Sequence, residues 1–148
     1  MSAVVVYRVS TARRAGDLSG EGARRAGGRW NERGLPALYM ASSVSLALLE
    51  ILVHVEDRRD LPGEYTVTVI EVARSPAEWI ASLPGDRRAC QAVGSELLRT
   101  GKTLGFWVPS VIVPREWNLV LDPAHRDFER EVTVAETYAL PVDLRLRG

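Results

Sequence analysis

The chain has 148 residues, enough for one ordinary domain closed around a single hydrophobic core. With 46% hydrophobic and 26% charged residues it sits at globular averages, which excludes a disordered, collagen-like or coiled-coil chain. Basic and acidic residues both number 19, so no bulk charge draws it to nucleic acid or to an acidic membrane.

Val4-Val5-Val6-Tyr7-Arg8-Val9 is β-branched and predicts a buried first strand. It is too short for a signal peptide and leads into Arg13 and Arg14, so a reducing cytoplasm is the default compartment. Residues 10–34 hold six of the twelve glycines and predict a long functional loop. A short strand is expected over Leu35–Ala41, followed by a helix that Ser42 or Ser43 caps and that runs to about His54. That helix is apolar on nearly every side, which predicts burial.

After a Pro-Gly turn in Asp60–Glu64, Tyr65–Val72 alternates as a strand does. Ser75-Pro76 predicts a short helical turn. Asp86 caps a further helix with Ala89, Val93 and Leu97 on one face and Gly101 as its stop. Within it lies Cys90, the single cysteine, which excludes an intrachain disulfide and a cysteine-cluster metal site. Strands are expected over Leu104–Val113, Trp117–Leu121 and, after a polar turn at Pro123–Arg130, Glu131–Ala139. Strands outnumber helices without a βαβ alternation, which predicts an α+β class with a mixed sheet. No linker or repeat divides residues 1–148, and no apolar run reaches the roughly 18 residues that span a bilayer.

Several residues stand out against this frame. Glu50 sits among leucines and Ile51, where an ionised carboxylate is costly unless it is paired or faces a cleft. His54 lies one turn later on the same helix face, although a lone histidine there is more often structural. Gly27-Gly28-Arg29-Trp30-Asn31 couples close backbone approach to a cation, yet a glycine turn with a solvated arginine reads the same way. Arg8 inside an apolar strand implies pairing with a ligand or with Glu50. Tyr39 and Ser110 each have an ordinary reading as core or edge residues. Lys102 is the only lysine among the 19 basic residues, and planar guanidiniums suit a phosphorylated ligand, although coding bias gives the same pattern. No P-loop, GxGxxG, GxSxG or HExxH string is present, and two histidines offer no metal-ligand spacing.

In combination these pieces come in one order: Tyr7-Arg8-Val9, Gly27-Gly28-Arg29-Trp30-Asn31, Leu38-Tyr39-Met40-Ala41-Ser42, Leu49-Glu50, and Val108-Pro109-Ser110. Pro114-Arg115-Glu116-Trp117-Asn118 follows. This order resembles the RES domain, a family named for its arginine, glutamate and serine, over about Tyr7 to Val134. Its members are toxins of bacterial toxin–antitoxin pairs. The resemblance implies an ADP-ribosyltransferase-like mixed sheet with flanking helices, and NAD⁺ as substrate with no metal. NAD⁺ would be degraded by hydrolysis or phosphorolysis, or its ADP-ribose transferred to a protein. A nucleotide-binding module without turnover is the alternative of a different class.

On this resemblance Glu50 would stabilise the positive charge that develops on the ribose as nicotinamide leaves. Arg29 and Arg8 would grip the pyrophosphate or ribose side, with Trp30 and Asn31 beside them in substrate binding. Tyr39 would pack its ring on nicotinamide or the adjacent ribose. Ser110 would bind the ribose or place Glu50. An Xre-like helix-turn-helix antitoxin would be the partner and would carry any DNA contact, leaving none to this chain. A homodimer and a protein acceptor of ADP-ribose are open, and no membrane is involved.

Overall fold

The computed structural model describes residues 2–148. Val4–Ser10 forms β1, with Val6 and Val9 buried and Val5 on the outer side. The stretch expected as loop carries a 3₁₀ turn at Ala12–Arg14 and a short helix, α1, at Glu21–Ala26, held by Glu21 pairing with Arg24 and Arg25. Next, β2 (Leu38–Ala41) begins three residues later than predicted, and α2 (Val44–Leu52) starts at Ser43, whose side chain accepts from the Leu46 N–H. β3 (Glu64–Val72) follows.

No helical turn forms at Ser75-Pro76. The chain instead makes a two-residue edge strand, β4 (Glu78–Trp79), which the sequence reading missed. α3 (Arg87–Thr100) runs from the Asp86 cap to Gly101, which takes a positive φ of 61°. β5 (Gly105–Pro109) is shorter than expected and stops before Ser110; β6 (Trp117–Leu121) has its predicted bounds. A single turn, α4 (Phe128–Glu131), leads into β7 (Val132–Pro141).

The seven strands form one sheet in the order β4-β5-β6-β2-β1-β3-β7, antiparallel throughout except for the parallel β4–β5 pair. This is the mixed α+β architecture that the element pattern implied. Along β6, Leu119 and Leu121 join a cluster with Met40, Ile70 and Phe128. Val120 faces the other way, onto Trp30, Cys90, Leu98 and Phe106 under α3. Burial on both faces explains why Leu119-Val120-Leu121 reads as an unbroken apolar run.

Two helix faces differ from expectation. α2 is only half covered: Leu46 and Ala47 are buried, whereas Leu49 is 39% and Val53 56% exposed. Its all-round apolarity therefore does not mean an interior helix; one side opens on a cleft. In α3 the buried face is Cys90, Gly94, Ser95 and Leu98, not Ala89, Val93 and Leu97. Small and polar residues pack there because a backbone segment presses against the helix.

The join between the sheet's two halves positions that cleft. β1 pairs with β3 at seven successive residues but with β2 only at Tyr7↔Ala41. A cleft of about 560 Å³ is lined by Tyr7, Arg8 and Val9 from β1 and by Tyr39, Met40 and Ala41 from β2. No helix among the described residues is long and apolar enough to cross a membrane.

Candidate active site

The loop before β2 is built to present Arg29. Gly27 takes a φ of 73°, and a methyl group on Gly28 would lie 2.6 Å from the Tyr39 hydroxyl and 2.7 Å from Asn31 Oδ1. Only glycine fits either position. Trp30 is buried and meets Phe106 edge-on at 6.3 Å between ring centroids, so its indole anchors the loop in the core. Asn31 is also buried, and its amide donates to the Ala23 and Leu35 carbonyls at 2.8 and 3.0 Å.

Tyr39 closes this network. Its hydroxyl donates to Asn31 Oδ1 at 2.7 Å and accepts from the Trp30 N–H at 2.9 Å. Burial pushes the phenol well above its ordinary value, against the opposing pull of the Trp30 N–H and of the Arg87 and Arg29 charges. A neutral, doubly bonded hydroxyl serves as a strut, and the ring remains to line the cleft.

Glu50 enters the cleft from α2 and accepts a hydrogen bond from the Ser110 hydroxyl at 3.2 Å. Ser110 is buried just past the end of β5, where its oxygen also accepts from the Ile112 and Val113 N–H groups at 3.2 and 3.0 Å. His54 lines the cleft one turn beyond Glu50. Arg8 does not pair with Glu50. Its guanidinium donates to the Asp17 carbonyl and, at 3.3 Å, to the Arg14 carbonyl, which ties the 3₁₀ segment to β1. Burial pulls Arg8 below its ordinary value while Asp17 pulls back.

Arg8, Arg29, Trp30, Tyr39 and Glu50 thus border one cleft, with Ser110 bonded to the carboxylate from behind. Asn31 is absent from the cleft wall, and its buried side chain is occupied by the protein itself, so it holds the loop rather than reaching a ligand. Among the described residues, no three His, Cys, Asp or Glu side chains come together as a metal site would require.

A family model described as RES domain matches residues 5–143. The chain belongs to the RES domain family. A relative named Toxin Res from Photorhabdus laumondii is 34% identical over 97% of both chains. Another of that name, from Yersinia enterocolitica, is 37% identical over 97% of this chain and the whole of its own. A Sphingobium protein named Prs ADP-ribosylating toxin is 39% identical over 82% of this chain and 83% of its own. Among solved structures, the M. tuberculosis MbcT–MbcA toxin–antitoxin complex contains a chain matched with a TM-score of 0.75 at 25% identity. That match covers 98% of this chain and 89% of that one.

This RES domain also has site residues that sequence reasoning missed, all on α3. Arg87 lines the cleft from the first turn of the helix. Gln91 Nε2 donates to the Gly28 and Asn31 carbonyls, both at 3.1 Å, and so clamps the loop on either side of Arg29. The Ser95 hydroxyl accepts from the Glu32 N–H at 3.0 Å, and Arg99 pairs with Glu32. One signal was available: two arginines, Arg87 and Arg88, open a helix whose positive pole disfavours them. The clamp left no such trace, because it depends on contacts 60 or more residues apart in sequence.

Proposed function

We propose that this RES domain is the toxin of a toxin–antitoxin pair and breaks the nicotinamide–ribose bond of NAD⁺. One observation carries the reading: Glu50 is the only carboxylate among the described residues lining a cleft that also holds Arg8, Arg29 and Arg87. An anion is unhelpful beside a phosphorylated ligand unless positive charge develops there. Cleavage supplies that charge. The glycosidic electron pair leaves with nicotinamide, which departs neutral, and the ribose becomes oxocarbenium-like. A fixed carboxylate lowers the energy of that state. Water then adds to the ribose and loses a proton, giving ADP-ribose, or phosphate adds to give its 1-phosphate.

The chain's own residues supply the rest. Arg29 and Arg8 hold the pyrophosphate side through charge-assisted hydrogen bonds. Tyr39 presents its ring to nicotinamide or the neighbouring ribose, and Ser110 aims Glu50. We place the activity in the cytoplasm, where a cognate Xre-like antitoxin would cover the cleft. The match to a chain solved in a toxin–antitoxin complex supports such a partner.

Transfer of ADP-ribose to a protein is the second reading, favoured by the relative named as an ADP-ribosylating toxin. The test is incubation of purified protein with NAD⁺, with and without phosphate, followed by NMR, and Glu50→Ala as control. Catalytic nicotinamide release that the substitution abolishes supports the enzyme, and the ribosyl product identifies the acceptor. Release only on adding cell lysate, with label appearing in protein, supports the second reading. No release under either condition rejects both in favour of a binding module.

A further inference from the structure

We infer that Arg87 is a further phosphate-binding arginine of the cleft, gripping the substrate pyrophosphate together with Arg29. The inference rests on the NAD⁺ reading above and deepens it. Three observations converge. Arg87 reaches the cleft from α3 while Arg29 reaches it from the loop that α3 clamps, so one rigid unit carries both guanidiniums. Both lie close enough to the Tyr39 phenol for their charges to oppose the effect of its burial. Neither guanidinium has a hydrogen bond or a carboxylate partner among the described residues, in contrast to Arg24, Arg59, Arg99, Arg130 and Arg145, whose forks are engaged by acidic neighbours.

The position is unfavourable in the free protein. The first turn of α3 contains no acidic residue beyond the Asp86 cap, and Arg87 and Arg88 put two cations at the helix's positive end. A dianionic pyrophosphate removes that conflict and accepts two parallel bonds from each planar fork. Arg88 provides the internal comparison. It has the same charge on the same helical turn, yet it does not line the cleft.

The probe is ADP, which has the pyrophosphate but no nicotinamide riboside, titrated calorimetrically into wild type, Arg87→Gln and Arg88→Gln. NAD⁺ turnover is followed in parallel. Arg87→Gln is expected to weaken ADP binding about tenfold or more and to raise KM for NAD⁺ similarly. Arg88→Gln should remain within about twofold of wild type. Thermal melting gives a readout that a merely structural role would move in the opposite direction. Removing a cation from the helix N-terminus should raise the ligand-free Tm of both variants by about 1–3 °C. Equal ADP affinity in Arg87→Gln and Arg88→Gln, with wild type turning over NAD⁺, overturns the role of Arg87 and leaves the NAD⁺ reading standing. A wild type that neither binds ADP nor releases nicotinamide overturns the NAD⁺ reading and this inference with it.

Discussion

Ser110 aims its hydroxyl proton at Glu50 Oε1, 3.2 Å away, because the N–H groups of Ile112 and Val113 already occupy its oxygen. A serine hydroxyl has two acceptor positions and one proton. With both acceptor positions filled, the proton has a fixed direction, and the carboxylate is held by a donor that cannot swing away.

Glu50→Gln tests the charge apart from the shape. The amide oxygen still accepts from Ser110, so the variant should fold with an unchanged melting curve. Nicotinamide release should fall by about a hundredfold or more, the scale on which electrostatic stabilisers of a transition state act. Activity within threefold of wild type would remove Glu50 from the mechanism.

Ser110→Ala tests the aiming. It deprives two N–H groups of their acceptor and Glu50 of its donor, at a cost of about 1–3 kcal/mol in stability for buried polar groups left unmatched. The expected kinetic signature is kcat down about tenfold with KM for NAD⁺ little changed, because the proposed phosphate contacts, Arg8, Arg29 and Arg87, are left in place. A rise in KM at constant kcat would instead make Ser110 a ribose ligand.

Arg8, Arg29, Trp30, Tyr39 and Glu50 stand out in the sequence and border one cleft, whereas Arg87 and Gln91 leave little trace there, and no residue's share of the work is legible. Arg29 and Glu50 stand out because each breaks a local pattern: a cation after two glycines, and a carboxylate in an apolar helix. Asn31 was read with Arg29 as a substrate contact, yet its amide is buried among the Ala23 and Leu35 carbonyls. Strand alternation places Tyr39 but says nothing of its hydroxyl, which bonds a loop eight and nine residues earlier. β1 and most of α2 followed from composition. The buried face of α3 did not, because Gly94 and Ser95 pack against backbone, and backbone contacts have no hydrophobic signature. β4 escaped for a different reason: two residues paired in parallel with β5 set no period.

The packing of α3 on the arginine loop gives a prediction away from the chemistry. A methyl group at Gly94 would collide with the Trp30 carbonyl, so Gly94→Ala must move the helix or the loop. Overpacking of this kind typically costs about 1–3 kcal/mol. Gln91→Ala removes two bonds that bracket Arg29 without adding bulk. Both variants should raise KM for NAD⁺, Gly94→Ala with the larger loss of Tm. Unchanged KM in both would separate the clamp from Arg29.

Tyr39→Phe separates strut from catalyst. It leaves the Trp30 N–H and Asn31 Oδ1 without their shared partner, costing about 1–3 kcal/mol in a melting experiment. Because burial holds the folded phenol above its ordinary value of 10.0, the unfolded chain releases this proton first. Wild-type stability should therefore decline as pH rises past that value, and Tyr39→Phe should lack that part of the decline. Parallel alkaline melting profiles for the two proteins would contradict the buried-phenol account.

Asp122 offers a pH test outside the cleft. It is 4% exposed, and its Oδ1 accepts from the Ala124 N–H at 2.9 Å. Burial pushes the carboxyl above its ordinary value of 3.8, outweighing the Ala124 bond and the pull of His125. The sign follows from which state holds the proton more tightly. Here it is the folded state, so the stabilising contribution is complete below the ordinary value and is lost as pH climbs to the raised folded value. Asp122→Asn keeps an oxygen acceptor for Ala124 and cannot ionise. Measured by thermal melting between about pH 4 and pH 8, the variant should gain on wild type as pH rises through that window and then hold a constant lead. Its nicotinamide release should match wild type, since Asp122 does not border the cleft. A lead that shrinks with rising pH would mean that the fold favours the Asp122 carboxylate, and that the Ala124 bond and the neighbouring His125 together outweigh burial.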